Sequence, residues 1–407
     1  MDLVVQKYGG TSVGSIKKIN FIAQNISKLR KQKKSVVVVV SAMAGETDRL
    51  DKITRRIAKI PDEKEYDQVI SSGEKISAGL LSIALIEMNV KAVSLDPSKF
   101  NLLTDDLHSK AQILSVGTKK IKSFLRKGFV VVVPGFQGVN SKGDVTTLGR
   151  GGSDLTAVAL ASALRASHCE LLKDDVDGIY TADPRLYKRA KKINYISYPE
   201  MLEMSSLGSK VLQAKAVEYA NNLQVKLYVK STSKISTRGT WVMDEKTIPL
   251  KEKKIITGIT HDLKQSKITV SGIEDVPGVA SKIFKPIGSA GIVVDMIVQN
   301  ISTNKKTDLT FTIPKDDLNK TVKILKLNMA KINYKKIIQN KDIALVSIVG
   351  AGMKTHTGIA TRMFDSLSKS KINISMISTS EIKISCVIEQ AKCKKAIQSL
   401  HKEFKLG

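Results

Sequence analysis

Val4-Val5-Gln6-Lys7-Tyr8-Gly9-Gly10-Thr11-Ser12 decides the fold class. An apolar run enters two glycines and two hydroxyl residues, and a helical pattern starts at about Ser15, so the stretch reads as strand, tight turn and helix N-terminus. Glycines let backbone N–H groups approach an anion closely, and Lys7 aims an ammonium at the same place. The phosphate loop Gly-x-x-x-x-Gly-Lys-Ser/Thr occurs nowhere in the chain, and Gly-Gly after a strand is often only a connection. Working outward, Ser35 to Val40, Lys91 to Leu95 and Phe129 to Val133 are unalternating apolar runs, the pattern of parallel strands covered on both faces. Ile16 to Arg30 and Ile76 to Met88 between them are amphipathic at helical spacing. The expectation is an α/β domain over residues 1–250.

A second turn of the same kind is Thr146-Thr147-Leu148-Gly149-Arg150-Gly151-Gly152-Ser153-Asp154, ahead of a small-residue helix from Leu155 to Leu164. Its glycines, Ser153 and the helix N-terminus form another anion nest, and Arg150 offers a planar fork suited to a carboxylate. Asp154 either caps that helix or orders the lysine of the nest. Two anion sites in one domain favour phosphoryl transfer between two anionic substrates. Asp174 to Arg185 reads as an acidic turn or as a nucleotide-holding loop, and Glu74, after Ser71-Ser72-Gly73, either caps a helix or holds a substrate ammonium.

From about residue 255 an internal repeat appears. A shift of 80 positions superposes Gly278 on Gly358, Phe284 on Phe364, Ile292 on Ile372 and Met296 on Met376. Each copy has the pattern of a ferredoxin-like βαββαβ module, expected at 262–335 and 336–407, with a strand near 255–261 packing with the second.

Lys and Arg number 66 against 38 acidic residues in a chain of 407, a formal charge of +28. The excess is diffuse: 39 basic against 25 acidic residues up to residue 250, and 27 against 13 beyond it. Aromatics make up only 5%, so stacking platforms for nucleic acid lack raw material and no nucleic-acid partner is expected. No apolar run approaches a membrane span, and Met1 to Lys7 already reads as a buried strand, which leaves no room for a targeting peptide. Cys169, Cys386 and Cys393 have no metal or disulfide spacing and read as buried thiols in a reducing cytoplasm, and the five histidines share no ligand spacing, so no protein-held metal is expected.

These segments in this order, with two terminal modules, resemble the aspartokinases of the amino-acid kinase family. The most specific pieces are Lys7 to Ser12, Ser41-Ala42-Met43-Ala44-Gly45-Glu46-Thr47, Gly135-Phe136-Gln137-Gly138, Gly149 to Asp154, Tyr180 to Arg185, Ser206 to Lys210, Asp275-Val276-Pro277-Gly278, Val294 to Asn300 and Ile377 to Ile382. The resemblance implies an α/β three-layer sandwich with a mostly parallel sheet, followed by two ACT modules. It also implies ATP-dependent phosphorylation of the β-carboxylate of L-aspartate, with Mg2+ carried on the nucleotide. By the same resemblance Lys7, Tyr8, Gly9, Gly10, Asp174, Asp175, Tyr180, Arg185 and Lys210 meet the nucleotide, and Lys7 and Asp154 are catalytic. Ser41, Thr47, Glu74, Arg150, Gly151, Gly152 and Ser153 hold aspartate. Effector contacts fall at Asp275, Gly278, Val279, Ala280, Gln299 and Asn300, and at Asn373, Ile374, Thr379, Ser380 and Glu381, with lysine or threonine, or both, as inhibitors. A homodimer or higher homo-oligomer through the ACT modules is implied as well. The alternatives are another acyl-phosphate-forming kinase, acting for instance on glutamate, and a catalytically silent amino-acid sensor.

Overall fold

Val36 to Val40 are completely buried, as an unalternating run between two covering layers must be. The computed structural model describes residues 2–174, 176–206, 211–234, 237–300 and 305–407. They fall into two compact units: Met1–Ile179, Lys192–Ser205 and the stretch ending at Lys253 in the first, Tyr180–Lys191 and Lys254–Gly407 in the second.

The first unit builds, in chain order, β1 (Leu3–Tyr8), α1 (Ile16–Lys31), β2 (Ser35–Val40), α2 (Glu46–Ile57), α3 (Glu63–Ile70), α4 (Ser72–Glu87), β3 (Ala92–Ser94), β4 (Leu102–Thr104), β5 (Ile113–Val116), α5 (Lys119–Arg126), β6 (Val130–Pro134), β7 (Gln137–Val139), β8 (Val145–Thr147), α6 (Gly152–Leu164) and β9 (His168–Lys173). Strands Tyr195–Ser197, Thr240–Met243 and Leu227–Ser231 continue the sheet into β9, β1, β2, β6 and β3, in that spatial order. β1 runs parallel to both β2 and β9, with Val5 opposite Val37 and Cys169. Thr240–Met243 runs antiparallel to Leu227–Ser231. Ser15 caps α1 by accepting a hydrogen bond from the Lys18 N–H, and the helix presents Ile19, Ile22, Ala23 and Ile26 to Val36, Val38 and Val40, beside Leu81 and Leu85 of α4. α6 is buried almost all round and packs against β1, β2 and β9. A smaller sheet, β5-β4-β7-β8, stands beside the main one.

The stretch Glu63–Glu87 corrects the reading that no run is long and apolar enough for a membrane. Its best window has a mean hydropathy of 1.4, though half of that window is buried in the fold. Its inner side carries Asp67 and Glu74, both buried, which marks it as a core helix pair with a polar task.

In the second unit the first module is complete: strand Gln265–Glu274, helix Val279–Ser289, strands Ile297–Gln299 and Lys306–Pro314, helix Leu318–Leu327 and strand Lys336–Asn340, which pairs with Gln265–Glu274. The boundary expected at 335/336 therefore moves beyond Asn340. The second module, from Ile343–Val349 through helix Ile359–Lys369, strands Met376–Thr379 and Lys383–Glu389 and helix Cys393–Glu403, ends without a closing strand. Gly258–Asp262, upstream of the first module, supplies it by pairing antiparallel with Ile343–Val349. The first module is thus inserted into the second. Gly278 and Gly358 start the equivalent helices in the same left-handed conformation, φ 88° and 78°. Ile292 and Ile372 are buried at equivalent positions, each in the core of its own module.

The segment Tyr180–Lys191 belongs to this second unit, contrary to a simple cut at 250. The Thr181 hydroxyl is 2.9 Å from Nε2 of His401, the Thr181 carbonyl accepts from the Ile259 N–H at 2.8 Å, and Ala182 joins the core of the second module. The three cysteines are buried and free, and burial pushes the thiols of Cys386 and Cys393 up to about 12 and about 11. A fragment 254–407 should melt cooperatively by far-UV circular dichroism, whereas 264–407, lacking the closing strand, should lose that cooperative transition. Equal melting of the two fragments would contradict the inserted topology.

Candidate active site

Strand alternation divides the residues at the end of β1. Tyr8 turns its ring into the core under α1 and α4, and Lys7 faces the opposite side, toward α6. There Lys7 Nζ lies 2.7 Å from Asp154 Oδ1, with both side chains buried. Asp154 sits three residues after Gly151, the residue that precedes α6, so it is the ion-pair partner and not the cap. Burial by itself would raise its pKa, but the ammoniums of Lys7 and Lys173 outweigh that and hold the carboxyl below its ordinary range. Removing either partner of such a buried pair strands a charge, at a cost of about 3–5 kcal/mol. Lys173 was not among the candidate site residues. It ends β9, the strand parallel to β1, and donates to the Val211 carbonyl.

The two glycine turns meet the same region. A Cβ on Gly10 would lie 2.8 Å from the Ala42 carbonyl oxygen, so the first turn closes on the loop after β2 only with glycine there. The Gly10 carbonyl accepts from the Ala44 N–H at 3.1 Å, and Ser41 N–H donates to the Tyr8 carbonyl at 3.1 Å. Gly151 has φ 81° and opens α6, followed by buried Gly152 and Ser153. A Cβ on Gly135 would lie 2.8 Å from that of Ser153, which brings the Gly135-Phe136 turn against the second nest. Arg150 is exposed on this turn, and Thr47 stands in the first turn of α2.

Glu74, on the first turn of α4, is buried. Its Oε1 accepts from the Ala42 N–H at 3.0 Å, while Oε2 has no hydrogen-bond partner among the described residues. The acceptor therefore ties α4 to the loop after β2 and leaves one oxygen for a donor. Burial pushes the Glu74 carboxyl up to about 7, against the lowering effects of the Ala42 N–H and Lys7.

Other candidate residues are placed differently. Asp174 forms an ion pair with Lys18 at 2.5 Å, and the same ammonium donates to the Thr11 carbonyl at 2.8 Å, which fixes the start of α1 to the end of β9. Tyr180 and Arg185 belong to the second unit, where the exposed Arg185 pairs with Asp183 at 2.7 Å. Asp175 and Lys210 lie outside the described residues. In the second module, Thr379, Ser380 and Glu381 line a cleft of about 510 Å³ with Gly358, Lys354 and His356; Asn373 and Ile374 are not part of its wall. Lys354 reaches Glu381 at 3.0 Å and was not foreseen. In the first module Asp275, Gly278, Gln299 and Asn300 are exposed, Ala280 is half-buried and Val279 is buried in its core.

Comparison with known proteins fits this geometry. Residues 2–231 match the model of the amino acid kinase family, and residues 268–328 and 346–404 match the ACT domain. An aspartokinase of Pseudomonas aeruginosa is 47% identical over 406 residues, spanning 100% of this chain and 98% of that protein. The chain belongs to the aspartokinases. Among solved members, Escherichia coli aspartokinase III has been crystallised with aspartate and ADP (25% identity, TM-score 0.76) and with lysine and aspartate (25%, TM-score 0.79). In both cases the likeness covers 99% of this chain and 100% of the other. The unpartnered Glu74 oxygen lies within electrostatic reach of Lys7 and is an acceptor open to a cationic donor.

Because only ionised Glu74 pairs with an ammonium, and its pKa lies near 7, the KM for the amino-acid substrate should rise about tenfold from pH 8 to pH 6. Glu74→Gln should raise the KM at pH 8 and flatten its pH dependence. A pH profile identical in the wild type and the variant would remove Glu74 from the ammonium site.

Proposed function

We propose that this chain transfers the γ-phosphoryl group of ATP to the β-carboxylate of L-aspartate, giving 4-phospho-L-aspartate for the synthesis of the amino acids derived from it. The observation that carries the reading is the buried Lys7–Asp154 pair between two glycine turns. The nucleophile is a carboxylate with a solution pKa of about 3.9, already ionised at neutral pH, so the reaction needs no general base. It needs neutralisation of charge on the moving phosphoryl group and alignment of donor and acceptor.

In this reading Lys7 supplies the neutralising ammonium together with the Gly9 and Gly10 amides, and Asp154 holds that ammonium in place. Glu74 receives the α-ammonium of aspartate, Arg150 a carboxylate, and Ser41, Thr47 and the amides of Gly151, Gly152 and Ser153 the remaining polar atoms. Asp174, Asp175, Tyr180, Arg185 and Lys210 serve the nucleotide, Tyr8 through its backbone alone. Mg2+ enters on the nucleotide's phosphates and adds positive charge there.

The paired modules act as an amino-acid sensor. The polar cleft at Thr379, Ser380 and Glu381 favours a zwitterionic effector, with lysine the first candidate, since a relative was crystallised with it, and threonine the second. Association into homodimers or larger homo-oligomers through the modules, and residence in the cytoplasm, complete the proposal.

ATP-dependent hydroxamate formation should be seen with L-aspartate, and far less with glutamate, and millimolar lysine with or without threonine should depress it. Lys7→Ala should lower kcat by about 10²–10³-fold with a modest change in aspartate KM. A Lys7→Ala enzyme with near-normal kcat would overturn the role of the ammonium.

A further inference from the structure

Asp67 lies on α3 seven residues before Glu74, about two helical turns away and on the same side of the Glu63–Glu87 stretch. It is completely buried, and its two oxygens accept from five donors on two distant segments. Thr147, at the end of β8, donates its N–H at 2.9 Å and its hydroxyl at 2.6 Å. Ser109 donates its N–H at 3.0 Å and its hydroxyl at 3.3 Å, and Nδ1 of His108 lies at 3.0 Å.

Both segments shape the turn that displays Arg150. Thr147 is three residues before it, and Gly149 between them has φ 71°, where an added Cβ would stand 3.1 Å from the Ser109 carbonyl oxygen. The Ala111 N–H donates to the Thr147 carbonyl at 2.9 Å, and the Leu148 N–H to that of Phe136 at 2.8 Å. The 108–111 loop thus clamps the base of the turn, and Asp67 ties loop and strand to the helix pair that carries Glu74. With Glu74 on the substrate's α-ammonium and Arg150 on its side-chain carboxylate, the distance between them measures the length of the amino diacid.

We propose that Asp67 is a positioning residue that sets this distance and thereby selects a four-carbon amino diacid over the five-carbon homologue. The inference rests on the roles given above to Glu74 and Arg150. A carboxylate suits the task because it accepts from every donor around it, whereas an amide would set an N–H against an N–H or O–H.

Kinetics with L-aspartate and L-glutamate as alternative acceptors test this. Asp67→Asn should raise the aspartate KM by about tenfold or more and lower the aspartate-to-glutamate ratio of kcat/KM by about tenfold, with ATP KM within about twofold of wild type. Thr147→Val, which removes one donor and keeps the shape, should move the ratio in the same direction by less, and it decides the matter if Asp67→Asn does not fold. Folded variants with an unchanged ratio, or with aspartate and ATP KM rising together, would overturn the proposal. Glu74→Gln and Arg150→Ala separate the two layers. If neither raises the aspartate KM, the roles of Glu74 and Arg150 fail and the ruler with them; if both do while the Asp67→Asn and Thr147→Val ratios stay put, only the ruler fails.

Discussion

A lysine and an aspartate held at 2.7 Å inside the fold impose most of what surrounds them. A buried ion pair is tolerated only where both charges are fixed and further polar groups answer them. Here β1 delivers Lys7 to one face of the sheet by strand alternation, and α6 delivers Asp154 from its first turn, the positive end of the helix dipole. The glycines let each turn close on its own neighbours: a Cβ on Gly10 would press on the Ala42 carbonyl, and one on Gly152 on Leu148 and Phe136. The same constraint suits the chemistry, since an ammonium held in place by a carboxylate is preorganised to meet phosphoryl charge without reorganising when it arrives.

The second unit solves a different problem, that of closing two half-covered sheets. The first module carries its own last strand, while the second is completed by Gly258–Asp262 from before the first. Neither module can then be removed without affecting the other. The excursion Tyr180–Lys191 adds a third thread, since Thr181 bonds to Ile259 and His401 and Ala182 enters the same core. Tyr180–Lys191 is therefore part of the second unit's fold, although the chain on either side of it belongs to the first.

Lys7, the two glycine turns, Glu74 and the repeat at 80 residues were legible in the sequence, because each rests on local chemistry or on periodicity. Strand alternation could have placed Tyr8 in the core, since it lies beside Lys7 and must face the other way. Asp154 was ambiguous until the start of the helix at Gly152 ruled out the cap. Asp67 was not legible at all: its partners lie 41 to 80 residues away, and no spacing announces a carboxylate satisfied across such separations. Lys173 was hidden for the same reason, as its influence on Asp154 depends on β9 lying parallel to β1 and under α6.

The account stands on Lys7 and Asp154 acting as one unit in phosphoryl transfer, and a double-mutant cycle on kcat at saturating aspartate and ATP tests it most directly. With Lys7→Gln, Asp154→Asn and the double variant, the double should lose no more than about the worse of the two singles, because each single already breaks the same unit. Losses that multiply across the cycle would show two independent contributions and contradict the account.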